Sequence, residues 1–295
     1  MKTLSVFLVL IAGILWGCLG FFVRVLNDGG LYAMDIVFLR ALLTTVSMAL
    51  ILLFADRKSF KIKMKDFWCF IGTGLCSIVF FNFCYFKSIA ESSLSVAAIL
   101  LYTAPAIVMV LSYFLFKEKL SKVKLISLLM TFAGCVLVTG IVAGDGKITV
   151  SGVLFGLGSG FGYALYSIFS RFAIERGYST FTITFYTFLI ATLSSIFFTN
   201  PMKVFSVAVG SGKNIIFSLV LGIAGTVTPY LAYTKGLKNM ENGKASIIAS
   251  IEPVTASILG LFIYHENLSI SAWIGAAMVL GALVICNVRI HSKES

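Results

Sequence analysis

The sequence has little charge, little proline and almost no histidine. Only 12% of its 295 residues are Asp, Glu, Lys or Arg, and it holds four prolines and two histidines. A soluble domain carries about 25% charged residues, so a water-soluble globule is excluded. Disorder is excluded because 59% of the residues are hydrophobic. The mean hydropathy of +1.01 instead indicates an integral membrane protein that crosses the bilayer several times.

Ten apolar runs are long enough to cross a membrane as helices, for which about 20 residues are needed. The predicted spans are Leu4–Leu26, Ala33–Phe54, Phe67–Phe86, Leu94–Phe116, Val123–Val142, Gly152–Phe172, Phe181–Thr199, Ile215–Tyr233, Ala245–Tyr264 and Trp273–Val288. The first run is too long for a signal peptide and lacks a small-residue cleavage site, so we expect it to remain as a helix. The predicted fold class is therefore an all-α membrane protein with ten transmembrane helices.

Lysine and arginine are unevenly distributed between the loops. With the N-terminus inside, 17 of the 23 cations fall on the inner side and five on the outer side, while Arg40 lies within a span. This bias predicts a multi-pass protein of the cell membrane with both termini in the cytoplasm. The net charge of +11 then reflects topology. We expect no nucleic-acid partner, because no basic patch with interleaved aromatic residues is present.

The two halves of the chain are related by an internal repeat. A shift of 148 places Tyr85–Leu137 on Tyr233–Ile285 with 13 of 53 positions identical. A shift of 147 pairs residues of the first and sixth spans. The pairs at a shift of 148 include Pro105/Pro253, Glu118/Glu266, Leu120/Leu268 and Ser121/Ser269, and those at a shift of 147 include Gly13/Gly160 and Arg24/Arg171. Five spans per half is an odd number, so residues 1–145 and 146–295 are predicted to form two inverted repeats, an arrangement typical of secondary transporters.

Several short motifs recur in the order and spacing of a known family. They are Leu15-Trp16-Gly17, Tyr102-Thr103-Ala104-Pro105 followed by Lys117-Glu118-Lys119-Leu120-Ser121, and Ile251-Glu252-Pro253 followed by His265-Glu266-Asn267-Leu268-Ser269. Over essentially its whole length the chain resembles the EamA branch of the drug/metabolite transporter superfamily. The resemblance implies a ten-helix transporter of metabolites, often an exporter of amino acids or related compounds.

Glu252 is the one acid plainly within a predicted span. A carboxylate at this depth costs about 2.5–3.5 kcal/mol or more to insert, which makes it a candidate site for a proton or a substrate amine. The alternative is a structural role, in which the carboxylate accepts hydrogen bonds from backbone groups freed by Pro253. The equivalent position in the first half is Ala104.

Arg40 is the one cation well inside a predicted span. It can contact a substrate carboxylate or pair with a neighbouring helix, for example with Glu252. The third interpretation is that its side chain extends toward the outer membrane surface.

Pro105 and Pro253 occupy equivalent places in the fourth and ninth spans. A proline within a helix removes one hydrogen bond and permits bending, so both are candidate hinges for alternating access, with a static kink as the alternative.

Aromatic and polar residues complete the predicted substrate cavity. Tyrosine offers an apolar face and a hydroxyl, which suits amphipathic metabolites and amine cations. The predicted set is Trp16, Asn82, Tyr85, Tyr102, Tyr163, Tyr166, Tyr230 and Tyr233, together with Arg40 and Glu252. For each aromatic residue alone, helix packing is the competing interpretation.

Other motifs indicate no further chemistry. The six cysteines lie within spans without C-x-x-C spacing, and His265 and His291 at helix ends cannot build a metal centre, so no metal or other cofactor is predicted. Gly13-xxx-Gly17 and the glycines between 152 and 162 favour close helix packing. Glu118 and Glu266 are interpreted as loop-capping residues.

The leading functional hypothesis is a secondary transporter that moves a small organic metabolite by alternating access, with proton coupling through Glu252 as one driving force. It is not expected to be an enzyme, and a monomer suffices to enclose a cavity. The alternatives are a membrane-embedded enzyme, a passive channel, and a sugar-phosphate or nucleotide exchanger, for which Lys87 and Lys235 would supplement Arg40.

Overall fold

The computed structural model describes residues 2–139, 149–265 and 268–288, and all regular elements in these ranges are helices. Short 3-10 turns cover Arg57–Phe60, Met64–Asp66 and Ile196–Phe198, and π-helical segments cover Gly72–Val79 and Ile223–Val227. The α-helices are α1 (Lys2–Gly17), α2 (Leu19–Asp28), α3 (Ala33–Ala55), α4 (Phe67–Ile71), α5 (Phe80–Glu91), α6 (Leu94–Leu101), α7 (Ala104–Phe116), α8 (Lys122–Val138), α9 (Val150–Glu175), α10 (Thr180–Ser195), α11 (Pro201–Val209), α12 (Gly212–Gly222), α13 (Thr228–Leu237), α14 (Asn242–Ala249), α15 (Glu252–Tyr264) and α16 (Ile270–Val288).

Nine helical segments within these ranges are long and apolar enough to cross a membrane. They coincide with nine of the predicted spans, but several are longer, because polar residues at their ends still continue the helix. The third, for example, runs from Met64 to Glu91. The predicted fifth span, Val123–Val142, corresponds to the 17 residues of α8, about 26 Å of helix. Residues 140–148 lie outside the described ranges, so the full length of the fifth span, the total of ten spans and the predicted boundary at 145/146 stay predictions.

The two halves run in opposite directions through the structure. Glu118 lies two residues beyond the end of the fourth span at Phe116. Its carboxylate accepts hydrogen bonds from the backbone N–H groups of Asn242 and Gly243 at 2.7 and 3.2 Å. These two residues begin the ninth span. The fourth and ninth spans are equivalent members of the repeat, and the end of one meets the start of the other. The repeat is therefore inverted.

Irregular backbone features recur at the repeat distance. The π-helical segments Gly72–Val79 and Ile223–Val227 interrupt the third and eighth spans at matching places. Lys117 and His265 are 148 residues apart and are the two non-glycine residues with positive φ in the described chain, at 56° and 54°. Such recurrence indicates that both halves use the same local conformations despite their different sequences.

Thr45 and Thr192 mark the symmetry axis between the halves. They are 147 residues apart, and their hydroxyl oxygens lie 3.1 Å from each other across the contact between α3 and α10. Equivalent residues of two repeats meet directly only where the axis that relates them passes. The second and seventh spans therefore pack at the centre of the two-repeat fold.

Each half contributes its first span to the packing of the other half. The helix α1 packs against α13, α14 and α15, and α9 packs in the corresponding way against α5, α6 and α7. The helices α8 and α16 form a further pair through close backbone contact at Gly134 and Gly275. Large apolar side chains cover the outside, as expected for a surface in contact with lipid. Examples are Phe54, Phe114, Phe197 and Phe262.

Candidate functional site

The fourth and ninth spans are both broken near their middle. A turn at Tyr102 and Thr103 separates α6 from α7, and Ser250 and Ile251 separate α14 from α15. Pro105 and Pro253 each lie in the first turn of the second half-helix rather than inside a continuous helix. The prediction of a proline kink within a continuous helix is thus wrong in detail. Backbone N–H groups in the first turn of a helix have no intrahelical acceptor, so a proline, which lacks an N–H, is tolerated there. The hinge role of both prolines stays a prediction.

Glycine allows another helix to approach each break closely. A Cβ added at Gly13 would lie 2.8 Å from the Ala249 carbonyl oxygen, and one at Gly160 would lie 2.8 Å from the Leu100 carbonyl oxygen. Gly13 and Gly160 are repeat equivalents on the first and sixth spans. Each break is therefore covered by the backbone of a helix from the opposite half, which supports the prediction of close packing at these glycines.

We expect Gly13→Ala to destabilise the protein. The new methyl group would also lie 2.6 Å from Ile251 Cγ2, and the backbone of the break cannot move away without losing its own contacts. Overpacking of this kind costs about 1–3 kcal/mol. Gly20→Ala is the matched control, because nothing lies within 4 Å of a Cβ at position 20. Thermal unfolding in detergent should show a lower midpoint for the first variant alone, and equal midpoints would contradict the packing account.

Glu252 is the first residue of α15 and faces the sixth span. Its Oε2 accepts a hydrogen bond from the Tyr163 hydroxyl at 3.3 Å. In the described chain this is its one hydrogen bond, so the predicted structural role as an acceptor for freed backbone groups is not what the contacts show. Its place at a helix N-terminus favours a negative charge.

A small cavity lies between the two breaks. The space open to the centre of a water molecule is about 10 Å³, so the cavity holds roughly one water molecule. A metabolite therefore requires the surrounding half-helices to move apart. The residues that line the cavity are Leu101, Tyr102, Ala104, Pro105, Tyr163, Ser246, Ala249, Ser250 and Glu252.

Arg40 is buried within the protein, with 6% of its surface exposed. One interpretation of the sequence was that its side chain extends to the outer membrane surface. The burial of Arg40 shows that this interpretation is wrong. Arg40 interacts electrostatically with Tyr230 and Glu252. In the described chain it forms no ion pair with Glu252 within 4.0 Å, and its Nε has no hydrogen-bond partner. It is a buried cation with an unused donor beside the Glu252 region.

Three tyrosines contact Trp16, and a fourth packs against two of them. The ring centroids of Tyr230 and Tyr233 lie 5.1 and 5.2 Å from that of Trp16, and Tyr163 lies at 6.2 Å. Tyr166 packs edge-on against Tyr230 at 5.0 Å. The Trp16 Nε1 is buried without a hydrogen-bond partner. These five predicted cavity residues are thus brought together into one group.

The hydroxyl groups in this aromatic cluster are partly engaged with small polar residues. Tyr166 shares a hydrogen bond with Thr234, and Tyr233 with Ser167, each at 2.7 Å. Both contacts join the sixth to the eighth span. These two tyrosines therefore hold the helices together, while Tyr163 faces Glu252.

The remaining predicted residues lie on the first half's side of the site. Tyr102 lines the cavity, and Tyr85 lies near both Tyr102 and Glu252. Asn82 is buried, but its amide donates to the Ile78 carbonyl within its own helix at 2.7 Å. No described contact joins Asn82 to the site, and its cavity role stays a prediction.

A polar cluster that the sequence did not predict joins the ends of the fourth and sixth spans to the start of the ninth. The backbone N–H groups of Asn242 and Gly243 donate to Glu118, as described above. The side-chain amide of Asn242 also accepts a hydrogen bond from Arg171 Nε at 3.0 Å and donates to the Ser112 hydroxyl at 3.3 Å. Arg171 also donates to the Met240 carbonyl. The one sequence signal was the recurrence of Glu118 and Arg171 in the repeat. The partner Glu266 lies outside the described residues.

The Glu118 carboxylate is held in a mixed environment. Burial raises its pKa above the ordinary value, and the N–H groups of Asn242 and Gly243 together with Lys124 oppose the shift. We name the contacts of Glu118, Arg171 and Asn242 the inner latch. The predicted topology places them on the cytoplasmic side, where they join the ends of the fourth and sixth spans to the start of the ninth.

The cysteines form no centre of their own. All six have free thiols, and four of them are buried. In the ranges that the structure covers, His, Cys, Asp and Glu form no group suited to hold a metal ion.

Sequence comparisons point to transporters. An uncharacterized transporter of Archaeoglobus fulgidus is 30% identical over 215 residues, which are 72% of this chain and 75% of that protein. The uncharacterized transporter YxxF of Bacillus subtilis is 26% identical and covers 100% of this chain and 93% of its own length. A crystal structure with 19% sequence identity superposes over the full length of both chains with a TM-score of 0.82, which establishes the fold.

A family assignment covers both repeats. The EamA-like transporter family matches residues 3–140 and again residues 150–288. The two matches coincide with the halves that the fold relates to each other. The chain belongs to the EamA-like transporter family and is a multi-pass membrane transporter of the two-repeat type.

Proposed function

We propose that this protein is a secondary transporter of small zwitterionic metabolites, amino acids or related compounds, working by alternating access as an exporter or exchanger in the cell membrane. The observation that carries the proposal is the convergence of one acid and two unused buried donors. Glu252 lies beside Tyr163, which contacts Trp16, and both Trp16 Nε1 and Arg40 Nε lack partners.

The chemistry of these groups matches the two charges of an amino acid. A substrate ammonium group binds a carboxylate such as that of Glu252, and the same ammonium group can also lie against the faces of the tyrosine rings. A substrate carboxylate takes the donors of Arg40 and Trp16, which otherwise remain buried and unsatisfied at a cost of about 1–3 kcal/mol each. Transporters of this architecture bind their substrates between the repeats at broken helices.

Proton coupling is proposed to use the same carboxylate. If Glu252 binds either a proton or the substrate ammonium group, one must leave before the other enters, and this exclusion couples their movements in opposite directions. Such coupling exports a substrate when the proton gradient is directed inward. The longest connection between the predicted spans, Ala55–Asp66, has 12 residues, which is too short for a nucleotide-binding domain.

The test is reconstitution of the purified protein into liposomes with a panel of amino acids, amines and nucleotides. We expect saturable transport of a zwitterion that a proton gradient accelerates. Arg40→Gln should weaken transport of the zwitterion by about tenfold to a hundredfold, the loss of one charged hydrogen bond, and should spare the corresponding amine without a carboxylate. Transport of nucleotides alone would instead favour the exchanger of phosphorylated substrates, and no transport at all would contradict the proposal.

A further inference from the structure

A second site lies at the membrane surface, away from the Glu252 cavity. An open pocket of about 490 Å³ is formed where the third span begins and the sixth span ends. Its walls carry three cations and one acid. The lining residues are Lys63, Lys65, Asp66, Trp68 and Arg176.

The single acid of this pocket is already engaged within the protein. Asp66 accepts hydrogen bonds from Arg176 Nε at 3.2 Å and from the Tyr178 hydroxyl at 2.8 Å. Asp66 is buried, whereas Lys63 and Lys65 are exposed and form no described ion pair. The charge that the pocket presents to a ligand is therefore positive.

Aromatic side chains adjoin the cations. Trp68 is 39% exposed, and the Arg176 guanidinium lies over its ring at 5.0 Å from the centroid. Trp68 also packs against Phe169 and Phe172 of the sixth span, at 5.8 and 5.2 Å. An exposed tryptophan between a basic rim and an apolar helix face is typical of the depth at which lipid headgroups lie.

We propose that this pocket binds the phosphate headgroup of an anionic phospholipid. The Arg176 Nε and Nη1 donate to Asp66 and to the Phe172 carbonyl, so Lys63, Lys65 and the Arg176 Nη2 are the groups that contact the phosphate. The acyl chains lie along Trp68, Phe169 and Phe172. Basic pockets between transmembrane helices bind anionic headgroups in this way, and each lysine or arginine near the surface contributes about 1 kcal/mol. The site is separate from the transport cavity, so the proposal does not depend on the proposed function.

The test uses the full-length protein with Trp273→Phe, which leaves Trp68 as the exposed tryptophan and keeps the buried Trp16. Quenching of its fluorescence is measured in bilayers that contain a minor fraction of bromine-labelled phosphatidylglycerol or phosphatidylcholine. We expect Trp68 to be quenched by the anionic lipid at a concentration about 30-fold lower, as two lysines would give. Lys63→Gln with Lys65→Gln should reduce this preference to about twofold or less.

Lys58→Gln with Lys61→Gln is the matched control, because it removes the same charge from the same loop outside the pocket. We expect it to leave the preference within about twofold of its original value. Equal quenching by the two lipids would overturn the proposal. So would an equal effect of the control pair, since this would indicate general attraction to the membrane surface. Loss of the preference on adding millimolar inorganic phosphate at constant ionic strength would identify a site for free phosphate and would also overturn it.

Discussion

Glu252→Gln is expected to abolish transport driven by a proton gradient. Glutamine can still accept the hydrogen bond from the Tyr163 hydroxyl, so the local geometry is retained. It cannot take up and release a proton, nor can it attract an ammonium group. We expect the proton-driven rate in proteoliposomes to fall at least about 100-fold, in the range found when a positioned proton-transfer group is removed.

Two comparisons separate coupling from misfolding. Glu175→Gln removes an exposed acid at the end of α9 and should leave transport unchanged. The thermal unfolding midpoint of Glu252→Gln should stay close to that of the original protein, because burying a neutral amide costs less than burying a carboxylate. Unchanged proton dependence of transport in Glu252→Gln would exclude the proposed coupling role.

Glu118→Ala is expected to open the inner end of the transporter. The substitution removes the acceptor for the N–H groups of Asn242 and Gly243. A hydrogen bond to a charged group contributes about 1.5–3 kcal/mol, so the balance between closed and open inner ends should shift by about 10- to 150-fold. The overall fold should persist, since the helices α7 and α14 remain packed against each other.

Opening of the inner latch can be measured by chemical labelling. Ser246→Cys places a thiol on the cavity wall one helical turn beyond Asn242, and a membrane-impermeant maleimide reports its access when the native cysteines are replaced. Labelling from the inner side should be faster by the same factor in the Glu118→Ala background. Glu241→Gln serves as the control, because this neighbouring acid is 49% exposed and pairs with Lys124 instead. Identical labelling rates in both backgrounds would show that Glu118 does not hold the inner end closed.

The hydropathy of the sequence predicted nine of the spans well, because a span depends on a pattern within a single segment. The repeat was predicted from matching residues 147 or 148 positions apart. The charge distribution of the sequence also predicted opposite orientations for the halves. The recurrence of Pro105 and Pro253 indicated where the fourth and ninth spans are special, but it could not distinguish a kink from a break. A break requires other helices to approach the interrupted backbone, and the approach of Gly13 to Ala249 depends on tertiary packing.

The site was predicted as a set of residues without their partners. Trp16, Tyr163, Tyr230 and Glu252 do lie together, because they occur at similar depths on spans that pack across the repeat. Arg40 was given three interpretations, since the depth of a residue in a helix does not reveal which way its side chain points.

The inner latch was not predicted, because no sequence pattern marks Asn242 as a partner of Glu118. Asn242 lies 124 residues from Glu118 and has no distinguishing motif of its own. Only the antiparallel packing of the fourth and ninth spans brings the two together. The recurrence of Glu118 and Arg171 in the repeat was the available signal, and the match of Glu118 with Glu266 pointed to a structural cap without identifying the helix that is capped.

Counterflow tests the central claim of alternating access at one substrate site most directly. Proteoliposomes are loaded with unlabelled substrate and diluted into a trace of labelled substrate, with no ion gradient present. The account predicts transient, saturable accumulation of label inside the vesicles, and its loss in Glu252→Ala. Flux of label that neither saturates nor depends on the internal substrate would indicate a channel, and chemical conversion of the substrate would indicate an enzyme. Either result would contradict the account.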